Sequence, residues 1–323
     1  MTYKQKMHDF SINMHLYSGF FEISCYNEVI RQIENLGGIG MKKITGLAVA
    51  VLALVTLAAC GGGNNNTSSS SDSNDAAENQ LAAIKEAGVL KVATSADFAP
   101  FEFHTMVDGK DQIVGADIDL VNEIAKELGV KLEVSDMNYN TVLASLKEGK
   151  SDIAIAGLSA TEERREQFDF SDDYYNPPQV MVINKKNEGT LNSIKAFDGK
   201  QVGGQKGSIQ EDVIKEQLPD ARLVSIDKVP NMIVEVNEGS LDGVVLEETT
   251  AESYVQQNPD LMIAKVELKT NDDEAYAIAL KKEGSSELKE EINKVIKKLN
   301  DEGKIEEFVK KNNELANSSA SEE

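Results

Sequence analysis

The chain has few of the residues on which disulfides, thiolate metal sites, zinc centres and histidine-based catalysis are built. Its 323 residues include only two cysteines, Cys25 and Cys60, and three histidines, His8, His15 and His104. It is also poor in positive charge. Lys and Arg total 33 against 55 Asp and Glu, a formal net charge of -22. That balance argues against nucleic acid or anionic lipid surfaces as partners. A helix that spans a membrane needs roughly 20 predominantly apolar residues, and the uncharged run from Ile44 to Ala59 has 16. No repeat of solenoid period is present.

That apolar run has a specific setting. Met41 to Cys60 reads MKKITGLAVAVLALVTLAAC: two lysines, an uncharged apolar stretch, then small residues leading into a cysteine. This is the layout of a secretory signal. Its end, Leu57-Ala58-Ala59-Cys60, resembles the lipobox of bacterial lipoproteins, which implies cleavage before Cys60 and acylation of that cysteine. Residues 1–40 then stand on the wrong side of a signal and are expected to be an untranslated upstream extension. Leu36-Gly37-Gly38-Ile39-Gly40 precedes Met41. Two GGA codons after an A-ending leucine codon would spell a ribosome-binding AGGAGG there, with Met41 as the start.

Cleavage leaves residues 60–323, 264 in all, with Cys60 and His104 the lone residues of their kinds. No intrachain disulfide or thiolate metal site is then possible. The first 59 residues hold five basic and four acidic side chains, so about -23 remains. Gly61 to Asp75, GGGNNNTSSSSDSND, has nothing large enough to pack and marks a flexible tether over 60–77. The tail 316–323 is similarly polar and is expected to fray.

Between these ends, short apolar runs alternate with amphipathic helices, the pattern of parallel strands joined by crossover helices. Strands are expected at Leu90–Thr94, Val130–Val134, Asp152–Ala156, Val180–Ile183, Gln201–Gly204, Leu223–Ile226, Asp242–Leu246, Leu261–Val266 and Glu274–Leu280. Leu120, Val121, Ile124 and Leu128 share one helical face that ends at Gly129, and Ile292, Val295, Ile296 and Leu299 share another. Pro177-Pro178 separates two such α/β sets, which suggests two lobes rather than one large sheet. In Ser159-Ala160-Thr161-Glu162-Glu163-Arg164, Thr161 is a candidate N-cap, and the N–H groups that follow favour an anion. Arg164 falls in that same first turn, where the helix dipole disfavours a cation by roughly 0.3 to 1 kcal/mol. A bound carboxylate, held by the planar guanidinium through two hydrogen bonds, would compensate it; a neighbouring glutamate would as well.

Five ordered segments now carry a resemblance: Asp97-Phe98-Ala99-Pro100-Phe101-Glu102-Phe103, Gly115-Ala116-Asp117-Ile118-Asp119-Leu120, Ile153 to Arg164, Phe168-Asp169-Phe170-Ser171 and Asp242-Gly243-Val244-Val245. From about Val89 to Lys310 the chain resembles the polar amino acid-binding subunits of bacterial ABC importers, the third solute-binding family. The resemblance implies an α/β, two-lobed fold of the type II periplasmic-binding-protein kind, each lobe a mixed sheet flanked by helices. It places lobe 1 at 78–178 and 270–315 and lobe 2 at 179–269, joined by a two-segment hinge and closing on the ligand.

The same resemblance assigns Arg164 to the ligand carboxylate, with Gly157 and Ser159 beside the ammonium and carboxylate. Ser208 and Ile209 complete the carboxylate site with N–H groups from the second lobe, and Glu247 receives the ammonium. Phe98 and Tyr139 match the aromatic pair that flanks the ligand side chain. Glu247 stands where aspartate is usual, Ile209 where threonine is frequent, Ala156 where some members have a second serine. Ser95 replaces an aspartate that binders of basic amino acids often use, while Asp97 and Glu102 are either counter-charges for a cationic side chain or plain surface. The expected ligand is basic, arginine first, ahead of glutamine or another neutral polar amino acid. No cofactor, metal or catalytic residue is implied. The expected protein is a lipid-anchored monomer on the outer face of the cytoplasmic membrane, working with an importer permease. Two other classes compete: an enzyme on the same fold, such as a cyclohexadienyl dehydratase, and a sensor or adhesin lipoprotein.

The lipobox yields the first prediction. Replacing Cys60 with alanine should move the protein from the membrane fraction to the soluble or secreted fraction; a variant that stays as firmly attached as the wild type would refute lipidation at Cys60.

Overall fold

The computed structural model describes residues 79–271 and 274–319. The upstream segment 1–40, the signal 41–59, Cys60 and the tether 60–77 lie outside them. The helices are α1 Gln80–Ala87, α2 Ala116–Leu128, α3 Tyr139–Lys147, α4 Glu162–Gln167, α5 Ile209–Gln217, α6 Val229–Glu238, α7 Glu248–Gln257, α8 Ser286–Asp301 and α9 Lys304–Ser319. The strands are β1 Val89–Thr94, β2 Asp97–Phe98, β3 Glu102–Val107, β4 Lys110–Val114, β5 Lys131–Asp136, β6 Ile153–Ala154, β7 Phe168–Phe170, β8 Gln179–Asn184, β9 Gln201–Gln205, β10 Arg222–Ile226, β11 Gly243–Glu247, β12 Leu261–Ile263 and β13 Ala279–Lys281.

Two mixed five-stranded sheets form the cores of two lobes, in the orders β5-β1-β6-β13-β7 and β10-β9-β11-β8-β12. In the first, β1 runs parallel to β5 and β6 while β13 is antiparallel to β6 and β7. In the second, β9 is parallel to β10 and β11, and β8 is antiparallel to β11 and β12. Central strands buried on both faces must be apolar throughout rather than alternating. Gly243-Val244-Val245-Leu246-Glu247 is buried at every position. Its last residue brings a carboxylate inside.

The chain crosses between sheets twice, after β7 and again before β13, and the crossing segments pair with each other. Tyr174 N–H donates to Tyr276 O at 2.9 Å, and Tyr276 N–H to Tyr175 O at 2.7 Å. Pro177 and Pro178 lie within the first crossing. On the outside of the first sheet, α2 buries Leu120, Val121, Ile124 and Leu128 and stops at Gly129, whose positive φ of 71° lets its N–H reach back to Ala125 O and Lys126 O. Helix α8 packs its Leu288, Ile292, Val295, Ile296 and Leu299 face against α2. Helix α9 contacts α2, β3 and α7.

Several expectations need amendment. Residues 316–319, expected to fray, continue α9 because Ala316 is buried with Ala99 and Phe103. His104, the one histidine among the described residues, lies in β3 with its ring exposed and bonded to Asp111 at 2.9 Å and Asp136 at 3.4 Å. The expected strand Glu274–Leu280 pairs as a ladder only over Ala279–Lys281; Tyr276 makes isolated bridges to Ser159 and Tyr175. The third sheet, β2-β3-β4, was not expected at all.

That small sheet matters because it sets the corner carrying Phe98 to Glu102 against α2. Carbonyls of Pro100 and Phe101 accept the first α2 amides, Ala116 N–H and Asp117 N–H, each at 3.0 Å. Gly115 makes this approach possible: a Cβ there would fall 1.9 Å from Phe101 O, at a φ of +138°. Gly115→Ala should therefore destabilise the protein by about 3 kcal/mol or more, since backbone must move. Urea unfolding of the purified variant measures it; a loss below about 1 kcal/mol would show that the corner yields freely.

Candidate functional site

The facing ends of the two sheets bring together side chains that the sequence scatters over 180 residues, from Ser95 to Tyr276. Arg164 belongs to α4, where the Thr161 hydroxyl caps by accepting Arg164 N–H at 3.3 Å. Its guanidinium donates to Ser159 O at 2.8 Å, to the Tyr139 hydroxyl at 3.3 Å and, across to the second lobe, to Gly207 O at 3.2 Å. Its Cζ also lies 5.9 Å from the Tyr139 ring centre. The helix has only six residues, so Arg164 falls in its first and its last turn at once. The two ends of so short a helix offset each other at Arg164, and the carbonyl contacts account for its orientation instead. An open depression of about 360 Å³ lies beside it, lined in part by Lys147, Glu163, Ser208, Ile209 and Asp212.

Inward of Arg164, Ser159 is buried and its hydroxyl donates to Glu274 O at 2.8 Å. Gly157 has a φ of 55°, and a Cβ there would meet Phe98 Cε1 at 3.2 Å and Tyr276 Cζ at 3.3 Å, so its bareness admits both rings. Phe98 stacks on Phe101 with centroids 6.0 Å apart. Ala156 is buried in a separate cluster with Ala93, Tyr139 and Leu158. Ser208 precedes α5 but its hydroxyl donates back to Gln205 O at 2.7 Å rather than capping the helix, and Ile209 opens that helix, buried.

Acidic groups dominate the interior. Glu102 is fully buried, and neither of its carboxyl oxygens receives a hydrogen bond. Beside it, buried Asp117 accepts Gly157 N–H at 3.1 Å and the Tyr174 hydroxyl at 2.8 and 2.9 Å. Burial raises the Asp117 carboxyl to about 6, against those hydrogen bonds. Burial, together with the Asp117, Asp97 and Glu247 charges, raises Glu102 well above the usual carboxylate range.

From the second lobe, Glu247 ends β11 as the residue preceding α7. Its Oε1 accepts from Gln210 Nε2 at 2.6 Å, and that amide also donates to Gln179 Oε1 at 3.1 Å. Oε2 and the nearby Tyr276 hydroxyl influence each other's ionisation but complete no hydrogen bond of ordinary geometry. Burial lifts Glu247 to about 7, with its own backbone N–H and Gln210 opposing. Asp97 is differently placed: Oδ1 accepts from Ser95 Oγ at 3.2 Å and Gln205 Nε2 at 3.3 Å, and Oδ2 lies 3.6 Å from Lys228 Nζ. Of the two acids flanking Phe98, one is matched by a cation and one is not.

Asp117, Tyr174, Gln210 and Tyr276 were missed as site residues by sequence reasoning. Asp117 had a signal, an acid in the first turn of a helix behind a glycine; the others had none, since their importance lies in partners 30 to 180 residues away. Among the described residues no group of three or more His, Cys, Asp or Glu could hold a metal ion, and no helix is long and apolar enough to cross a membrane.

The acids fix a pH dependence of stability. A carboxyl whose folded pKa is raised stabilises the fold below its unfolded pKa, and that contribution is lost as pH climbs through the folded value. For Glu247 the window runs from 4.5 to about 7, a loss of about 3 kcal/mol. Glu247→Gln should therefore unfold with a flatter pH dependence over that window than the ligand-free wild type, in urea titrations at several pH values. Parallel curves would mean that Glu247 ionises normally.

Comparison with known proteins places this geometry. Residues 90–314 match the family model of bacterial extracellular solute-binding proteins, family 3. The arginine-binding extracellular protein ArtP of Bacillus subtilis (strain 168) is 34% identical over 273 residues, covering 84% of this chain and 98% of that protein. Two solved structures from Streptococcus pneumoniae Canada MDR_19A, both bound to L-arginine, are also similar. One, an amino acid ABC transporter substrate-binding protein, is 43% identical with a TM-score of 0.71 over 73% of this chain and 98% of that one. The other, the substrate-binding protein AbpA, is 45% identical with a TM-score of 0.70 at the same coverage. The match spans the whole folded region and both lobes, and the chain belongs to the family 3 bacterial extracellular solute-binding proteins.

Proposed function

We propose that this protein captures a basic amino acid, arginine foremost, between its lobes and delivers it to the permease of an ABC importer. The observation that carries the reading is charge. Two buried carboxyls, Glu102 and Glu247, lie within reach of each other's fields, and neither has a cation. A buried carboxylate without a counter-charge is costly enough to stay protonated. A basic amino acid brings two cations, one for each acid, and an α-carboxylate for Arg164. A neutral amino acid brings one. The relatives bound to arginine support the same choice.

In this reading Arg164 grips the α-carboxylate together with N–H groups at Ser208 and Ile209, and Glu247 receives the α-ammonium beside Gly157 and Ser159. Phe98 and Tyr139 flank the side chain, whose guanidinium meets Glu102. Lobe 1 comprises 78–178 and 270–315 and lobe 2 comprises 179–269. The protein acts as a monomer, tethered outside the cytoplasmic membrane through lipidated Cys60, and performs no chemistry on its ligand. One observation favours a second reading: a buried Glu102 carboxyl pushed toward its neutral form is also what a dehydratase on this fold would use as an acid. Incubation with prephenate or arogenate separates the two, since only an enzyme consumes them.

Calorimetry against arginine, lysine, glutamine and glutamate at moderate salt tests the proposal. Arginine should bind most tightly, and Arg164→Ala should weaken it by about 2 to 5 kcal/mol while the fold persists. Glu102→Gln should cost arginine about 100-fold in affinity and glutamine little. Tighter binding of glutamine or glutamate than of arginine and lysine would defeat the cationic assignment.

A further inference from the structure

Asp97 is where the second lobe takes hold of the first. Three second-lobe groups converge on this residue of β2. Gln205, at the end of β9, donates to its Oδ1 at 3.3 Å; Lys228, just before α6, places Nζ 3.6 Å from Oδ2; and Tyr254 of α7 donates its hydroxyl to the Asp97 carbonyl at 2.9 Å. Ser95 Oγ, from the first lobe, holds Oδ1 at 3.2 Å and so fixes the carboxylate for them. The Asp97 side chain is 6% exposed and that of Lys228 30%. Burial raises the Asp97 carboxyl, and Lys228 is the chief influence opposing it.

We propose that Asp97, Gln205 and Lys228 form a clasp between the lobes that sets the lifetime of the closed form, and hence the dissociation rate of any ligand it holds. Each contact joins side chains of different lobes, so opening the cleft breaks all of them together. Contacts made only in the closed form slow opening and leave the encounter with the open form unchanged. The two acids beside Phe98 thus divide their work. Asp97, matched by Lys228, acts on closure for every ligand; Glu102, unmatched, discriminates among them. Asp97 is a positioning residue and does not touch the ligand. The clasp rests on the reading that ligand is held between the lobes, but not on which amino acid that is.

The test uses Lys228→Met, which keeps the apolar stem of a partly exposed side chain and removes its charge. Release of tritiated arginine and of tritiated glutamine into excess unlabelled amino acid gives the dissociation rate, and uptake by rapid filtration gives the association rate. Lys228→Met should speed dissociation about 5- to 30-fold, by the same factor for every amino acid bound, with association changed less than about twofold. Asp97→Asn should do the same, and the double variant should add little further, because both remove one contact. Small-angle scattering of the ligand-free protein should show a larger radius of gyration for Lys228→Met than for the wild type. A wild-type dissociation rate in Lys228→Met, or an effect confined to cationic ligands, would overturn the clasp. Should no amino acid bind, the functional reading falls and scattering decides alone: equal radii of gyration would then overturn the clasp.

Discussion

Placing carboxylic acids in a closed, water-poor cleft is the constraint on which the rest of this structure depends. Glu102, Asp117 and Glu247 are all buried, and each is pushed toward its neutral form by that burial. The protein answers each differently. Asp117 is satisfied within the lobe by Tyr174 and Gly157; Glu247 receives one amide and leaves one oxygen unused; Glu102 faces only another acid, Asp117, and receives no donor. The gradient from satisfied to unsatisfied runs from scaffold to site. Stability is surrendered where a cation would restore it, the trade expected of a binding site that must prefer its liganded state.

The unsatisfied acid needs a rigid mount, because a mobile glutamate would simply turn outward to water. Its mount is the corner from Phe98 to Glu102, wedged against the α2 amino terminus through the bare Cα of Gly115. Phe101 is fully buried under Tyr175 and Tyr276, at ring distances of 5.2 and 5.1 Å, which anchors the residue immediately before Glu102. Both tyrosines belong to the crossing segments between the lobes. The crossing segments and the acid therefore share one aromatic cluster, and the residues that link the two sheets also hold Glu102 in place.

The repeating strand and helix pattern was legible wherever burial was uniform. The α2 stripe with its Gly129 stop, the Thr161 cap and the central strands of both sheets follow from hydrophobic spacing and capping chemistry alone. The β2-β3-β4 sheet was hidden because β4, Lys110-Asp111-Gln112-Ile113-Val114, has no fully buried residue, so no apolar period marks it. In β3 the alternation exists, with Phe103 and Thr105 in and His104 and Met106 out, but its polar members conceal it. Helix α9 outlasted expectation through a single small residue, Ala316. Within the site, Arg164, Gly157 and Glu247 came from resemblance, and the one bottom-up argument, a cation misplaced on a helix dipole, assumed a longer helix than the six residues present. Tyr276 and Gln210 had no local mark, because a hydroxyl or amide becomes a site group only through what tertiary folding puts opposite it.

A carrier that must release its cargo cannot close too firmly. Beside the Tyr254 hydroxyl on the Asp97 carbonyl at 2.9 Å, the side-chain contacts that cross the cleft are of the weaker kind: a guanidinium on a backbone carbonyl at 3.2 Å, a neutral amide on a carboxylate at 3.3 Å, and an ion pair at 3.6 Å with its lysine partly in water. Water and salt compete for each of these. A buried bidentate ion pair in the same place would hold the lobes shut without ligand and leave the open form too rare to load. In the proposed function the stronger terms, two carboxyls lacking cations and the Arg164 guanidinium, are left for the ligand to complete. On the proposed function, closure becomes firm only when cargo is inside, and the proposed clasp then needs only modest strength to keep it there.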